Sequence, residues 1–277
     1  MIIQAAVTAA ATFRIVVALA FLFGAGAQPA PAREGTVLPP GLVAGPPGTA
    51  VEVTDGDTVV LTDGRTVRLV GIQAPKLPLG RAGFPTWPLA PEARKVLESL
   101  ALGRRVTPHF GGARADRHGR GLAHLVRDDG LWLQGEMLAR GLARVYTFED
   151  NRAATREMYA LERAARAARR GIWSLAHYRV RSAEEAARYV GGFELVEGRV
   201  LAVAEVRGRG YLNFGPDWRT DFTIVVPRRA NATFRPVFGR KLEGLQGKRV
   251  RVRGWLRRYN GPMIESTHPE QIEVLEP

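Results

Sequence analysis

The chain contains no cysteine. That absence excludes disulfides, thiolate metal ligands, a cysteine nucleophile and a lipid anchor on cysteine. Apolar runs are short as well: the longest near the start, Ile15 to Phe23, falls well below the ~20 residues that a membrane-spanning helix requires. There is no long low-complexity tract and no short-period repeat; at most, the two halves follow one barrel plan. Acidic residues are outnumbered, with 27 Asp and Glu against 40 Lys and Arg, giving a net charge of +13 and a pI near 11. Such an imbalance points to a polyanionic partner, with nucleic acid favoured over anionic lipid or surface polymer.

What is present can be divided along the chain. Residues 1–27 combine an early cation, Arg14, with the apolar run and then Gly24-Ala25-Gly26-Ala27, the pattern of a secretory signal peptide cut after Ala27. An exported protein without disulfides is expected in the periplasm or outside a bacterial cell. Residues 28–48 are rich in Pro, Ala and Gly and read as a flexible linker. From residue 49 the pattern changes. Val51, Val53, Val59, Leu61, Val67 and Leu69 alternate with polar positions, and Asp55-Gly56 and Asp63-Gly64 fall where turns belong, so a three-strand meander is expected. Its first turn places Asp57 and Thr58 at the start of the second strand. Arg68, one strand on, can point to the same rim, and a carboxylate facing a guanidinium suits a metal and a phosphate.

A Pro-rich loop follows, containing Arg81, Phe84 and Trp87. A helix begins at Pro91, strands are expected over 105–110 and 121–126, and helices over about 131–140 and 151–170. Before the last of these strands stands Asp116-Arg117-His118-Gly119-Arg120, and the last helix ends in Arg170-Gly171-Ile172-Trp173-Ser174. With Asp55-Gly56-Asp57-Thr58 and Gly71-Ile72-Gln73-Ala74-Pro75-Lys76, these segments resemble the staphylococcal nuclease (thermonuclease) family over residues 49–175. The resemblance implies an OB-type barrel with three helices and calcium-dependent hydrolysis of DNA and RNA phosphodiesters. It implies Asp57 as a metal ligand, and Arg68 and Arg120 as the catalytic arginines that clamp the phosphate. Two positions depart from the family pattern. Gln73 stands where a second metal-binding Asp is expected, retaining only a neutral oxygen, and Lys76 stands where a Glu would activate water. Asp57 alone is then expected to face Arg68, Arg120 and Lys76, making a cationic pocket that holds phosphate without metal. His118 is a candidate substitute base, although a plain turn residue is the favoured reading.

Residues 176–192 read as a connector. Over 193–277 the runs give three strands, a short helix near 234–242 and two or three further strands, the order of an OB-fold. Arg249, Arg251 and Arg253 alternate with valines and are expected to form a guanidinium row for nucleic acid, with Tyr211, Trp218, Trp255 and Tyr259 available for stacking; a barrel that only packs against the first domain is the equal alternative. The expected fold is therefore mainly β with helices (α+β): a nuclease-like barrel followed by a smaller OB-like barrel. Two readings of activity stay open: phosphodiester hydrolysis attenuated at Gln73 and Lys76, and a non-catalytic nucleic-acid-binding or scaffolding role.

Overall fold

The computed structural model describes residues 37–240 and 242–275. The expected signal peptide and the first part of the linker lie outside the described residues. The remaining linker is not featureless, because β1 (Val43–Ala44) pairs antiparallel with β6 (Arg105–Phe110), and Gly45 N donates to Pro108 O at 2.8 Å.

Alternating apolar residues build the first barrel from β2 (Gly48–Asp55), β3 (Thr58–Leu61), β4 (Thr66–Leu69), β6 and β7 (Gly121–Arg127). Neighbours pair antiparallel except β4 with β7, which run parallel, and β2 closes the ring onto β6. Between β4 and β6 lie β5 (Gly71–Gln73) and α1 (Ala90–Ala101), while α2 (Leu133–Ala139), β8 (Arg144–Tyr146) and α3 (Thr155–Ala167) complete the unit. β5 pairs with β8 as a separate two-stranded ribbon. Helix α3 starts four residues later than the sequence pattern suggests, since Phe148 and Asn151 form a bridge and Ala154 takes a left-handed conformation with φ 56°. Valines and leucines of the barrel pack against Leu97 of α1 and Leu133, Met137 and Leu138 of α2. The turn at Gly56 is pressed onto that core: a Cβ there would lie 2.6 Å from Ala74 Cβ and 2.9 Å from Ala93 Cβ. Only glycine permits this approach, so the Asp-Gly-Asp turn is held rigidly against α1.

The second barrel repeats the topology. β10 (Phe193–Arg199) and β11 (Ala202–Val206) act as one bent strand, followed by β12 (Arg209–Asn213), β13 (Thr223–Val226), α4 (Asn231–Phe238), β14 (Arg249–Tyr259) and β15 (Gly261–Glu265). Again the one parallel pairing within the ring joins its third strand, β13, to its last, β15, and β14 returns to β10. Two short strands extend the sheet: β9 (Arg181–Ser182) beside β10 and β16 (Ile272–Val274) beside β14. The described residues form one compact unit. A buried ion pair helps to join its halves. Arg253 of β14 meets both carboxylate oxygens of Glu162 of α3, at 2.9 and 3.0 Å, and donates to Val145 O at 3.0 Å. Arg152 pairs with Glu270 at 2.8 and 2.6 Å, and Thr147 Oγ1 lies 2.8 Å from His268 Nε2. Among the described residues, no helix is long and apolar enough to cross a membrane.

Candidate nucleic-acid interface

The rim of the first barrel gathers four charged side chains in a small volume. Asp55 ends β2, Asp57 follows the glycine, and Thr58 pairs across the sheet with Arg68. Asp57 is fully buried. Its Oδ2 accepts from Ala74 N at 2.8 Å, and its Oδ1 lies 3.1 Å from Arg68 Nη1 and 3.4 Å from the Thr58 hydroxyl. Lys76 reaches in from the segment after β5. Its Nζ lies 2.7 Å from each Asp57 carboxylate oxygen and 3.1 Å from Asp55 Oδ2. Burial pushes the Asp57 carboxyl upward, but the Arg68 guanidinium and then the Lys76 ammonium outweigh it and hold the group well below the usual carboxylate range. Asp55 moves the other way: burial, followed by the neighbouring Asp57 charge, raises it above its ordinary value.

These contacts correct three expectations. Asp57 does not face the cations alone, because Asp55 shares them. Gln73 has no oxygen directed at a metal ion: its Oε1 accepts from Arg144 Nε at 3.0 Å and Nη2 at 2.8 Å. Arg144 is buried against the Phe193 ring, 4.6 Å from its centroid, and Gln73 is the polar group that satisfies it there; burial lowers this guanidinium to about 10. Lys76, expected to meet nucleic acid, has its three donors directed at Asp55 and Asp57. Calcium prefers six to eight oxygen ligands with several carboxylates. Here the carboxylates already surround an ammonium, and the described residues contain no group of three or more His, Asp or Glu able to hold a metal. The residues present do not fit a family-type calcium site.

Arg68 is likewise engaged. Nη1 donates to Leu69 O at 2.9 Å and Asp57 O at 3.3 Å, and Nη2 donates to Ile72 O at 2.7 Å. Arg120 is held by its own turn, with Asp116 Oδ2 at 2.8 Å from Nε and 2.7 Å from Nη2; Asp116 Oδ1 also accepts from the amides of His118 and Arg120. His118 is exposed and its Nε2 accepts from Arg117 Nε at 3.1 Å, as expected of a turn residue. The two arginines nevertheless open onto one cleft of about 780 Å³, together with Asp55, Lys76, Arg117 and Tyr146. Arg81 stacks on Phe84 at 3.7 Å on the same side, whereas Trp87 packs onto the protein beside Arg144.

Sequence reasoning missed Tyr146 and Phe148, which line this cleft with ring centroids 4.8 Å apart. The alternation in Tyr146-Thr147-Phe148 was the available signal, since it sends both rings to one face. They also line a second cleft of about 260 Å³, shared with Trp255, Arg229 and Arg257 of the second barrel; Trp255 Nε1 donates to Tyr146 Oη at 3.2 Å. The expected row of guanidiniums is corrected. Arg253 is enclosed by Glu162 and Glu273, Arg251 pairs with Glu197 and Glu273, and the exposed Arg249 also pairs with Glu197. Alternation placed the three on one face of β14, but that face is covered by β10's glutamate, β16 and α3. Exposed rings instead lie elsewhere on the barrel, where Trp218 (51% exposed) and Tyr259 (61%) flank Tyr211 around a cleft of about 420 Å³.

Comparison with known proteins gives a family match over part of the chain. Residues 66–175 match the family described as "Staphylococcal nuclease homologue". A protein of Capnoides sempervirens named "Uncharacterized 38.1 kDa protein" is 33% identical over 115 residues, covering 42% of this chain. The match spans 30% of that relative's own length.

Proposed function

We propose, from the staphylococcal-nuclease-like domain in residues 66–175, that the protein binds nucleic acid by its phosphodiester backbone and that metal-dependent hydrolysis in this domain is attenuated. The observation that carries the reading is the single cleft onto which Arg68, Arg117 and Arg120 open beside a carboxylate pair already bound by Lys76 and Arg68. Arg120, whose side chain is 38% exposed, can turn from its part-buried Asp116 contact toward a phosphate oxygen while Asp116 keeps the amides of His118 and Arg120. Arg68, tied to three carbonyls and Asp57, contributes charge and shape from a fixed position. A water-activating carboxylate is missing from position 76, and loss of a general base commonly costs roughly 10²–10⁴ in rate.

Single-stranded substrate is supported by the exposed rings of Phe148 and Trp255 and the half-buried Tyr146 between them. Phe148, Tyr146 and Trp255 lead from the cleft toward the second barrel, and each stacked base contributes about 1–3 kcal/mol without sequence preference. The apolar run before Ala27 supports export as the setting of this activity. The test is binding and cleavage of labelled single-stranded DNA and RNA, in calcium and in chelator, beside an Arg68→Ala, Arg120→Ala variant. Binding that falls with salt, is indifferent to chelator and weakens in the variant is expected, with cleavage slow or absent. Rapid cleavage abolished by chelator would refute the reading.

A further inference from the structure

We propose that the Lys76 ammonium is a built-in cation standing in the place of a divalent metal, so that Asp55, Asp57, Arg68 and Lys76 form a finished electrostatic unit that needs no ion and excludes one. The geometry accounts for every donor. An ammonium has three N–H groups, and Nζ has three carboxylate oxygens around it, at 2.7, 2.7 and 3.1 Å. The two shorter contacts fall in the range of charge-assisted bonds, and together they bracket both oxygens of one carboxylate as a chelated cation would.

Charge leads to the same conclusion. Two carboxylates meet one ammonium and one guanidinium, so the cluster is neutral before any ion arrives. Calcium would have to displace the ammonium, because Asp57 is fully buried and Lys76, with 18% of its side chain exposed, lies between it and solvent. The displaced charge would remain on its tether beside Arg68 and the incoming dication. The remaining contact that a metal would seek, from Gln73, is spent on Arg144. Lys76 is therefore a lock on the site: it supplies the positive charge that keeps two buried carboxylates together, and its removal exposes them to metal.

The inference concerns the protein and the metal alone, so it is tested without nucleic acid and can fail independently of the function proposed above. Thermal unfolding of the full chain is followed in chelator and in millimolar calcium, with calcium titration by calorimetry. Wild-type protein is expected to melt at one temperature in both and to give no binding heat. Lys76→Ala is expected to lose about 10 °C in chelator. Calcium should restore part of that loss, with a dissociation constant on the order of 10⁻⁴–10⁻³ M. Adding Asp57→Asn to Lys76→Ala should abolish the calcium response, which places the ion at this pair. Calcium stabilisation of the wild type, or a Lys76→Ala protein indifferent to calcium, overturns the proposal. Should Lys76→Ala fold in neither condition, the wild type decides by ¹⁵N spectroscopy of its four lysines, Lys76, Lys95, Lys241 and Lys248. The Lys76 ammonium should then give a signal slow to exchange with water and unchanged by calcium, and a signal that exchanges freely or vanishes on adding calcium overturns it.

Discussion

Replacing Arg253 by alanine should destabilise the protein more than most single changes on its surface or core. The guanidinium is 1% exposed and its partner Glu162 is 0% exposed, so neither charge can fall back on water. Arg253 donates to both Glu162 oxygens, to Val145 O and to Glu273 Oε1 at 2.7 Å, and sits over the Tyr159 ring at 4.3 Å; its Nε lacks a partner. Burial raises the Glu162 carboxyl, but Arg253 outweighs this and holds it below its ordinary range. Without Arg253, Glu162 keeps Arg166 at 3.1 Å and the Val145 amide at 2.6 Å, too little to balance a fully buried carboxylate. Removing one member of a buried pair costs about 3–5 kcal/mol. For a chain of this size each kcal/mol moves the melting temperature by about 2–4 °C, so a fall of about 6–20 °C is expected. The double variant Arg253→Met, Glu162→Leu should recover most of it, because a well-packed apolar pair avoids the desolvation that both charges suffer. Urea and thermal unfolding of the three proteins provide the assay. A loss below about 1 kcal/mol for Arg253→Ala, or a double variant no better than the single, would refute the account.

Acid should weaken the fold through two histidines. Burial lowers both His124 and His268 to about 4, and the unfolded chain protonates them near 6.5. The unfolded state therefore binds more protons between these values, so stability is full above pH 6.5 and falls as pH drops toward 4. The melting temperature against pH should show that slope, reduced by His124→Phe if the ring simply fills its place beside Trp132, 5.5 Å away. Gly56→Ala should cost about 1–3 kcal/mol by forcing the turn off Ala74 and Ala93, with denaturant midpoints as the readout. Gln73→Ala should destabilise by about 1–3 kcal/mol, since Arg144 would be left buried without its oxygen acceptor, whereas Gln73→Glu should be tolerated. Phe148→Ala should leave stability almost unchanged and weaken single-strand binding by about 1–3 kcal/mol, measured by fluorescence anisotropy.

Both barrels were legible before the structure because their physics is local. Alternation with period two fixes which side chains face inward, and the Asp-Gly pairs mark turns that other residues disfavour. Asp57 and Arg68 could be expected on one rim for the same reason, lying beside turns of a short meander, whereas Arg120 was singled out by the resemblance alone. Lys76 could be seen to be wrong for a base, yet its hydrogen bonds could not be foreseen. They depend on Asp55 and Asp57, about twenty residues back along the chain, being brought to it by Gly56 packing on α1. Gln73 met Arg144 across 71 residues, where β5 pairs with β8. The second barrel marks the limit most sharply. Alternation placed Arg249, Arg251 and Arg253 on one face, but a strand's pattern carries no information about what covers that face. Helix α3, nearly a hundred residues earlier, puts Glu162 there and makes an expected binding arginine a buried structural one. Sequence determined the faces and the turns; only the tertiary fold decided which charges meet, because the partner of a buried charge is set by packing between distant elements.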